Sequence, residues 1–132
     1  MCEVSVVDCE SYEYGQVKTA VSEAIASVGG LDGLAEGMRV VIKANLVASA
    51  NPDKAVTTHP TVLAALTELC IERGASVVIG DSPGGIYTAA FVERIYKSAG
   101  LSLCVEKGAE LNSNYGESSA YFADIFRLIL PI

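Results

Sequence analysis

Apolar residues follow two different spacings along this chain. Short runs rich in β-branched residues alternate with longer stretches in which apolar residues recur every three or four positions, as on one face of a helix. The short runs predict strands and the longer stretches predict helices. The predicted strands are residues 3–9, 39–43, 76–80, 101–106 and, near the end, 126–130; the predicted helices are residues 15–28, a segment from Pro60 to Gly74, and about 87–99.

The order of these elements predicts the fold class. Strands that alternate with helices of a dozen or so residues form right-handed crossovers and a parallel sheet. We therefore expect an α/β fold: a three-layer open sheet, mostly parallel, of four to five strands with helices on both faces, and Rossmann-like. The 132 residues suit a single domain, 1–132, in which a polar loop at 107–119 precedes the last apolar segment.

Composition narrows the classes of partner. Hydrophobic residues make up 51% of the chain and the mean hydropathy is +0.39, which is high for a soluble domain. We expect a second copy of the chain, or a missing C-terminal domain, to cover apolar surface at the edge formed by the run from Phe126 to Ile132. The net charge is −7 and no cluster of Lys or Arg is present, which excludes nucleic acid and anionic membranes as natural partners.

The first residues of the sequence and its cysteines indicate the cellular compartment. The first residues lack a basic stretch followed by a long apolar one, and no apolar run approaches the length of a membrane span. We expect a cytoplasmic protein. Cys70 falls in a predicted helix and Cys104 in a predicted strand, and reduced structural thiols are the favoured interpretation for all four cysteines; a bridge between Cys2 and Cys9 is the alternative.

Polar side chains follow two neighbouring predicted strands, where ligands of open α/β sheets bind. Lys43 and Asn45 come at the end of the second strand, and a cation beside an amide suits a carboxylate or a phosphate. The alternative is structural: Lys43 extends from a buried strand end to water and Asn45 caps a turn.

The loop after the third strand carries a second group of candidates. Asp81 suits the water shell of Mg²⁺ or a ribose hydroxyl, and Ser82, Gly84 and Gly85 can face a phosphate or carboxylate. A tight turn between strand and helix is the alternative. The two best-known nucleotide-binding loops, G-x-G-x-x-G and G-x-x-x-x-G-K-[ST], are absent from the sequence.

A third group stands where the second helix begins. Pro60 suits the first helical position, so Thr58 or His59 is the predicted N-cap. Thr57, Thr58 and His59 then lie at a helix N-terminus, which favours an anion. A neutral imidazole there suits a metal ligand or a hydrogen-bond donor, and His59 with Asp81 are the candidate metal ligands. The alternative is an ordinary cap.

Taken together, these motifs resemble the domain-of-unknown-function family 362 (DUF362), over about residues 4–85. The resemblance rests on Val41-Ile42-Lys43-Ala44-Asn45-Leu46, Thr57-Thr58-His59-Pro60 and Gly80-Asp81-Ser82-Pro83-Gly84-Gly85. It implies membership of a family without established chemistry, many members of which carry a ferredoxin-like module with two [4Fe–4S] clusters. More distantly, the family is similar to the N-terminal part of nickel-pincer lactate racemases.

This sequence departs from the family pattern in two places. Ala44 replaces the proline usual between the lysine and the asparagine, which leaves the backbone less fixed. The family's later Pro-Lys-x-Lys-Thr-His run and cysteine clusters are missing, so we expect the chain to be the N-terminal portion of a longer family member. Four scattered cysteines cannot form a ferredoxin centre, so no iron–sulfur cluster is expected in this chain, and its cofactor is unknown.

The sequence leaves three functions open. The first is a small-anion or metal-assisted ligand site at the carboxyl ends of the strands, which requires Lys43, Asn45, His59 and Asp81 to face one cleft. The second is a non-catalytic docking module for an iron–sulfur or redox partner. The third is an inactive fragment of a larger enzyme.

Overall fold

The computed structural model describes residues 4–82 and 88–115. Within these ranges the helices are α1 (Tyr14–Ala26), α2 (Pro60–Ile71), α3 (Ala89–Ser98) and α4 (Ser102–Glu106), the strands are β1 (Arg39–Lys43), β2 (Ser76–Gly80) and β3 (Glu110–Leu111), and a single 3₁₀ turn covers Pro52–Lys54. Gly84, Gly85 and the run 126–132, with its expected fifth strand and apolar edge, lie outside the described residues.

The strands form a parallel sheet in the order β1-β2-β3. Val41 is aligned with Val78, and Lys43 with Gly80, so β1 and β2 end level with each other. Val78 is aligned with Glu110 in turn. The α/β class and the parallel pairing are confirmed, and the sheet of the described residues has three strands rather than the four to five expected.

The hydrophobic core lies on one face of this sheet. Ile42 of β1 and Val77 and Ile79 of β2 share that face, because side chains two apart in a strand point the same way and Ile42 is aligned with Ile79. Helices α2, α3 and α4 all pack into the same cluster, with the following buried residues: Leu63, Ala64, Cys70, Val92, Ile95, Tyr96 and Cys104.

Helix α1 packs against α2 through polar contacts. Tyr14 Oη donates to Glu68 Oε2 at 2.7 Å, Lys18 Nζ lies 2.7 Å from the same oxygen, and Lys107 Nζ lies 3.2 Å from Glu68 Oε1. Lys107 also lies over the Tyr14 ring, 4.1 Å from its centroid. Glu68 therefore joins α1 and the end of α4 to α2.

The expected first strand is not formed. Residues 4–10 adopt no regular structure, although three of these seven residues are valines. Val4 is 82% exposed and Val6 is 91% exposed. A strand is stable only when a neighbouring strand takes up its backbone hydrogen bonds, and in the structure this segment lies beside α1, where Ser5 Oγ and Ser27 Oγ are 2.5 Å apart.

The expected strand at 101–106 is wrong, because most of this segment forms helix α4. Leu101 and Cys104 are fully buried while Val105 is exposed, so burial follows the three-residue spacing of a helix rather than the two-residue spacing of a strand. The strand comes later, at Glu110–Leu111, inside the stretch 107–119 that was expected to be a polar loop.

Candidate functional site

The carboxylate of Asp81 joins the ends of β1 and β2. Asp81 Oδ1 lies 2.8 Å from Lys43 Nζ and accepts a hydrogen bond from the Ser82 N–H at 2.9 Å. Its other oxygen accepts a hydrogen bond from the Leu46 N–H. The Asp81 side chain is 5% exposed, whereas the Lys43 side chain is 71% exposed. One partner of this ion pair is therefore fixed inside the protein and the other faces solvent.

These contacts hold Asp81 in its charged form. Burial alone raises the pKa of Asp81, but Lys43 and the N–H groups of Leu46 and Ser82 outweigh burial and leave the pKa below its ordinary value. Because these groups already occupy both oxygens of Asp81, the carboxylate is best placed to position the backbone and the lysine around it.

The residues that follow β1 alternate between buried and exposed. Ala44 and Leu46 are fully buried, whereas Lys43 and Asn45 are exposed. Asn45 has φ of 52°, in the left-handed region that asparagine tolerates better than most residues. The Ala44 N–H donates to the Gly80 C=O at 3.1 Å, which continues the pairing with β2 past Lys43. Asn45 is thus exposed two residues after the exposed Lys43.

His59 is the N-cap of α2, as one of the two predicted alternatives has it. Its Nδ1 accepts from the Thr61 N–H at 3.3 Å and lies 2.8 Å from Thr61 Oγ1. The ring stacks on Tyr12, with centroids 3.7 Å apart. Burial lowers the pKa of His59, and the charge of Asp53 opposes this only in part, which favours the neutral form of the ring.

The backbone donors of the first turn of α2 already have partners. Pro60 has no N–H, the Thr61 N–H is capped by His59, and the N–H groups of Val62 and Leu63 donate to the His59 C=O. An anion at this end of α2 would have to be held by side chains.

That Lys43, His59 and Asp81 share one pocket stays a prediction.

Thr57 contributes an unusual polar group. Its side chain is buried, and Oγ1 has no hydrogen-bond partner among the described residues. Thr58 is half-buried and Ser82 is exposed. A buried hydroxyl without a partner costs free energy, so Thr57 is a site where an additional polar group would be stabilising.

The two predicted metal ligands, His59 and Asp81, already have hydrogen-bond partners within the protein. In the ranges 4–82 and 88–115, no group of three or more His, Cys, Asp or Glu side chains is arranged to hold a metal ion. Asp81 uses its oxygens for Lys43, Leu46 and Ser82, and His59 uses Nδ1 within its own cap. A role for either residue as a metal ligand stays a prediction.

Two contacts of this region could not be predicted from the sequence pattern. The Leu46 N–H binds Asp81 through its backbone, which leaves no trace in the residue type. Tyr12 stacks on His59 from a segment that precedes α1 and has no periodic pattern. The tyrosine pairs with a residue far along the chain, and only the three-dimensional arrangement reveals that contact.

The family model described as "Domain of unknown function (DUF362)" matches residues 40–125, which include β2, all of β1 except Arg39, and the loops that follow both strands. The chain belongs to the DUF362 family. The matched range contains Lys43, Asn45, Thr57, Thr58, His59, Asp81 and Ser82, so every candidate ligand residue that the structure describes lies in the family domain.

One relative of this DUF362 chain is the thylakoid-associated protein sll1697 of Synechocystis sp., which is 33% identical over 81 residues. The match covers 61% of this chain and 25% of the relative, so the chain spans about a quarter of that relative's length. No solved structure matches the chain. Among the described residues, no helix is long and apolar enough to cross a membrane.

Proposed function

We propose that this DUF362 domain binds a small anionic molecule, a carboxylate or a phosphate, at the carboxyl ends of β1 and β2. Lys43 supplies the positive charge and Asn45 supplies an orienting amide. The observation that carries the proposal is the asymmetry of the ion pair: Asp81 is almost fully buried, while the Lys43 ammonium group that it holds is open to solvent.

The rigidity of this arrangement supports a binding role. A lysine side chain that is free in water loses rotamer entropy when it binds a ligand. Asp81 already restrains Lys43 at 2.8 Å, so part of that entropy is lost before the ligand arrives. The buried neighbours of Asn45 restrain the backbone that carries its amide in the same way.

The charge balance limits the size of the ligand. Lys43 contributes one positive charge to a chain whose net charge is −7, and Asp81 partly compensates that charge. One exposed ammonium group suits one carboxylate or one phosphate group rather than a polyanion.

The other candidates take supporting roles in the proposal. The unpartnered hydroxyl of Thr57, the half-buried Thr58 and the neutral ring of His59 are additional donors for a polar ligand. Ser82 follows Asp81 directly and is exposed, and Gly84 and Gly85, which lie outside the described residues, complete the loop in the sequence.

The test is a calorimetric titration with inorganic phosphate and, separately, with acetate. The wild-type chain is compared with Lys43→Met and with Lys97→Met, a matched control because Lys97 is an exposed lysine on α3. We expect Lys43→Met to weaken binding about tenfold or more, which corresponds to about 1.4 kcal/mol, and Lys97→Met to leave it unchanged. Equal affinities for the three proteins, or no binding by the wild type to either anion, would refute the proposal.

The docking function stays a prediction, because the run from Phe126 to Ile132 lies outside the described residues. The match to sll1697 covers a quarter of that relative, so the proposed function concerns this domain alone.

A further inference from the structure

The outer edge of β1 is open within the described sheet. β1 pairs with β2 on one side and stands first in the order β1-β2-β3. Val40, Val41 and Ile42 of β1 line a groove of about 490 Å³, together with Leu31 and Leu34 of the connection that precedes β1 and Leu66 of α2. Val41, at the middle of the strand, is 53% exposed.

The hydrogen bonds to β2 show which backbone groups of β1 face this open edge. The Ser76 N–H donates to the Met38 C=O, and the Ala44 N–H donates to the Gly80 C=O. The backbone N–H and C=O groups of successive strand residues point to opposite sides, so those of Met38, Ile42 and Ala44 point toward β2. The N–H groups of Val41 and Lys43 therefore point to the open edge.

We propose that the N-terminal segment, residues 4–8, leaves its position beside α1 and pairs with this edge of β1 as a parallel fourth strand. In the position that the structure records, the segment exposes Val4 and Val6 almost completely. Pairing with β1 would give its backbone hydrogen-bond partners and bury β-branched side chains against Val41 and Leu34.

The topology favours a strand at this place. A parallel strand that precedes α1 needs a right-handed crossover to β1, and α1 must then lie in the same layer as α2, which makes the next crossover in the same direction. α1 and α2 do pack against each other. The segment also approaches the groove along the chain that lines it, because Ser5 contacts Ser27 at the end of α1 and Gly30, three residues after Ser27, lines the groove.

Charge favours this segment over a second copy of the chain. Antiparallel pairing of two β1 strands centred on Val41 would place Arg39 of one copy opposite Lys43 of the other, and like charges directly opposite each other destabilise a strand pair. The N-terminal segment carries no Lys or Arg in residues 4–8 and so avoids this repulsion.

Amide hydrogen exchange of the full chain, followed by NMR, tests the proposal. The wild type is compared with a variant in which residues 4–8 are replaced by Gly-Ser-Gly-Ser-Gly. We expect the amides of Val41 and Lys43 to exchange about tenfold or more faster in the variant, while Ile42, which bonds to β2, keeps its protection and shows that the fold is intact.

Two results would overturn the proposal. The first is fast exchange of Val41 and Lys43 in the wild type itself, at the rate of unstructured amides. The second is slow exchange that is unchanged by the replacement, since another element would then cover the edge. The measurement needs no ligand, so its outcome is independent of the proposed anion site.

Discussion

Lys43 and Asp81 form an ion pair with 2.8 Å between Nζ and Oδ1, in which the lysine is exposed and the aspartate is buried. The pair ties the last residue of β1 to the first residue after β2. This contact turns two separate sequence motifs into one group, and it assigns different roles to its two members: Lys43 is available to a ligand, and Asp81 positions it.

This difference predicts unequal costs of substitution. Asp81→Ala removes the acceptor of the Leu46 and Ser82 backbone N–H groups, of which Leu46 is fully buried, and should lower the free energy of unfolding by about 1–3 kcal/mol. Lys43→Met leaves those hydrogen bonds in place and should cost less than about 1 kcal/mol, because the lysine is exposed. Urea denaturation of both variants at pH 7 measures the two costs, and a larger cost for Lys43→Met would contradict the assigned roles.

Glu68 predicts a dependence of stability on acid. Hydrogen bonds from Lys18 and Tyr14, together with Lys107, lower its pKa to about 2, below the value of about 4.3 in an unfolded chain. The contribution of Glu68 to stability is therefore complete above about pH 4.3 and declines as the pH falls toward 2.

We expect Glu68→Gln to lower the free energy of unfolding by about 1 kcal/mol at pH 7 and by less at pH 3. Glu72→Gln is the matched control, because Glu72 contacts Lys18 alone within this group of charges and is more exposed. Urea denaturation at both values of pH measures the effect. A difference between wild type and Glu68→Gln that does not shrink at pH 3 would argue against this role of the carboxylate.

His59 predicts a titration that can be observed directly, since it is the only histidine of the chain. Its pKa should lie below the ordinary value of about 6.5. The free energy of unfolding is therefore largest above about pH 6.5 and decreases as the pH falls from there through the lower pKa of the folded state. Tyr12→Ala exposes the ring and should raise the His59 pKa toward 6.5. An NMR titration of the ring protons decides this, and a pKa of 6.5 or above in the wild type would be inconsistent with the buried cap.

Two glycines with positive φ give a further test. Gly74 has φ of 79°, and a Cβ there would lie 2.8 Å from Cγ and 3.2 Å from Cα of Glu36. Gly29 has φ of 104° with open space around it. Both Gly→Ala variants incur the conformational cost of about 1 kcal/mol, and Gly74→Ala must also displace backbone. Thermal denaturation should therefore show the larger loss for Gly74→Ala, and equal losses would show that the contact with Glu36 relaxes freely.

Local sequence patterns predicted the elements that local interactions determine. Helices α1 and α2 follow from their apolar spacing, and the start of α2 follows from Pro60 and the capping residue before it. Strands β1 and β2 follow from their β-branched runs. Residues 101–106 have the pattern of a strand because Leu101, Leu103 and Val105 alternate with other residues, whereas the packing buries Leu101 and Cys104.

Long-range contacts determined what the sequence could not predict. β3 is fixed beside β2 where the Asn112 N–H donates to the Ile79 C=O and the Asn112 C=O accepts from Tyr96 Oη, and neither contact is visible in a local pattern. The candidate site shows the same limit. Its residue types indicated a polar edge of the sheet, but the pairing of Lys43 with Asp81 and the use of His59 as a cap required the folded arrangement.

The most direct test of the anion site is to map amide chemical shifts of the ¹⁵N-labelled chain during titration with inorganic phosphate at constant ionic strength. The account predicts saturable changes that are largest at Lys43, Asn45, Leu46 and Ser82, and that disappear in Lys43→Met. Changes spread evenly over all exposed lysines, or centred away from the ends of β1 and β2, would contradict it.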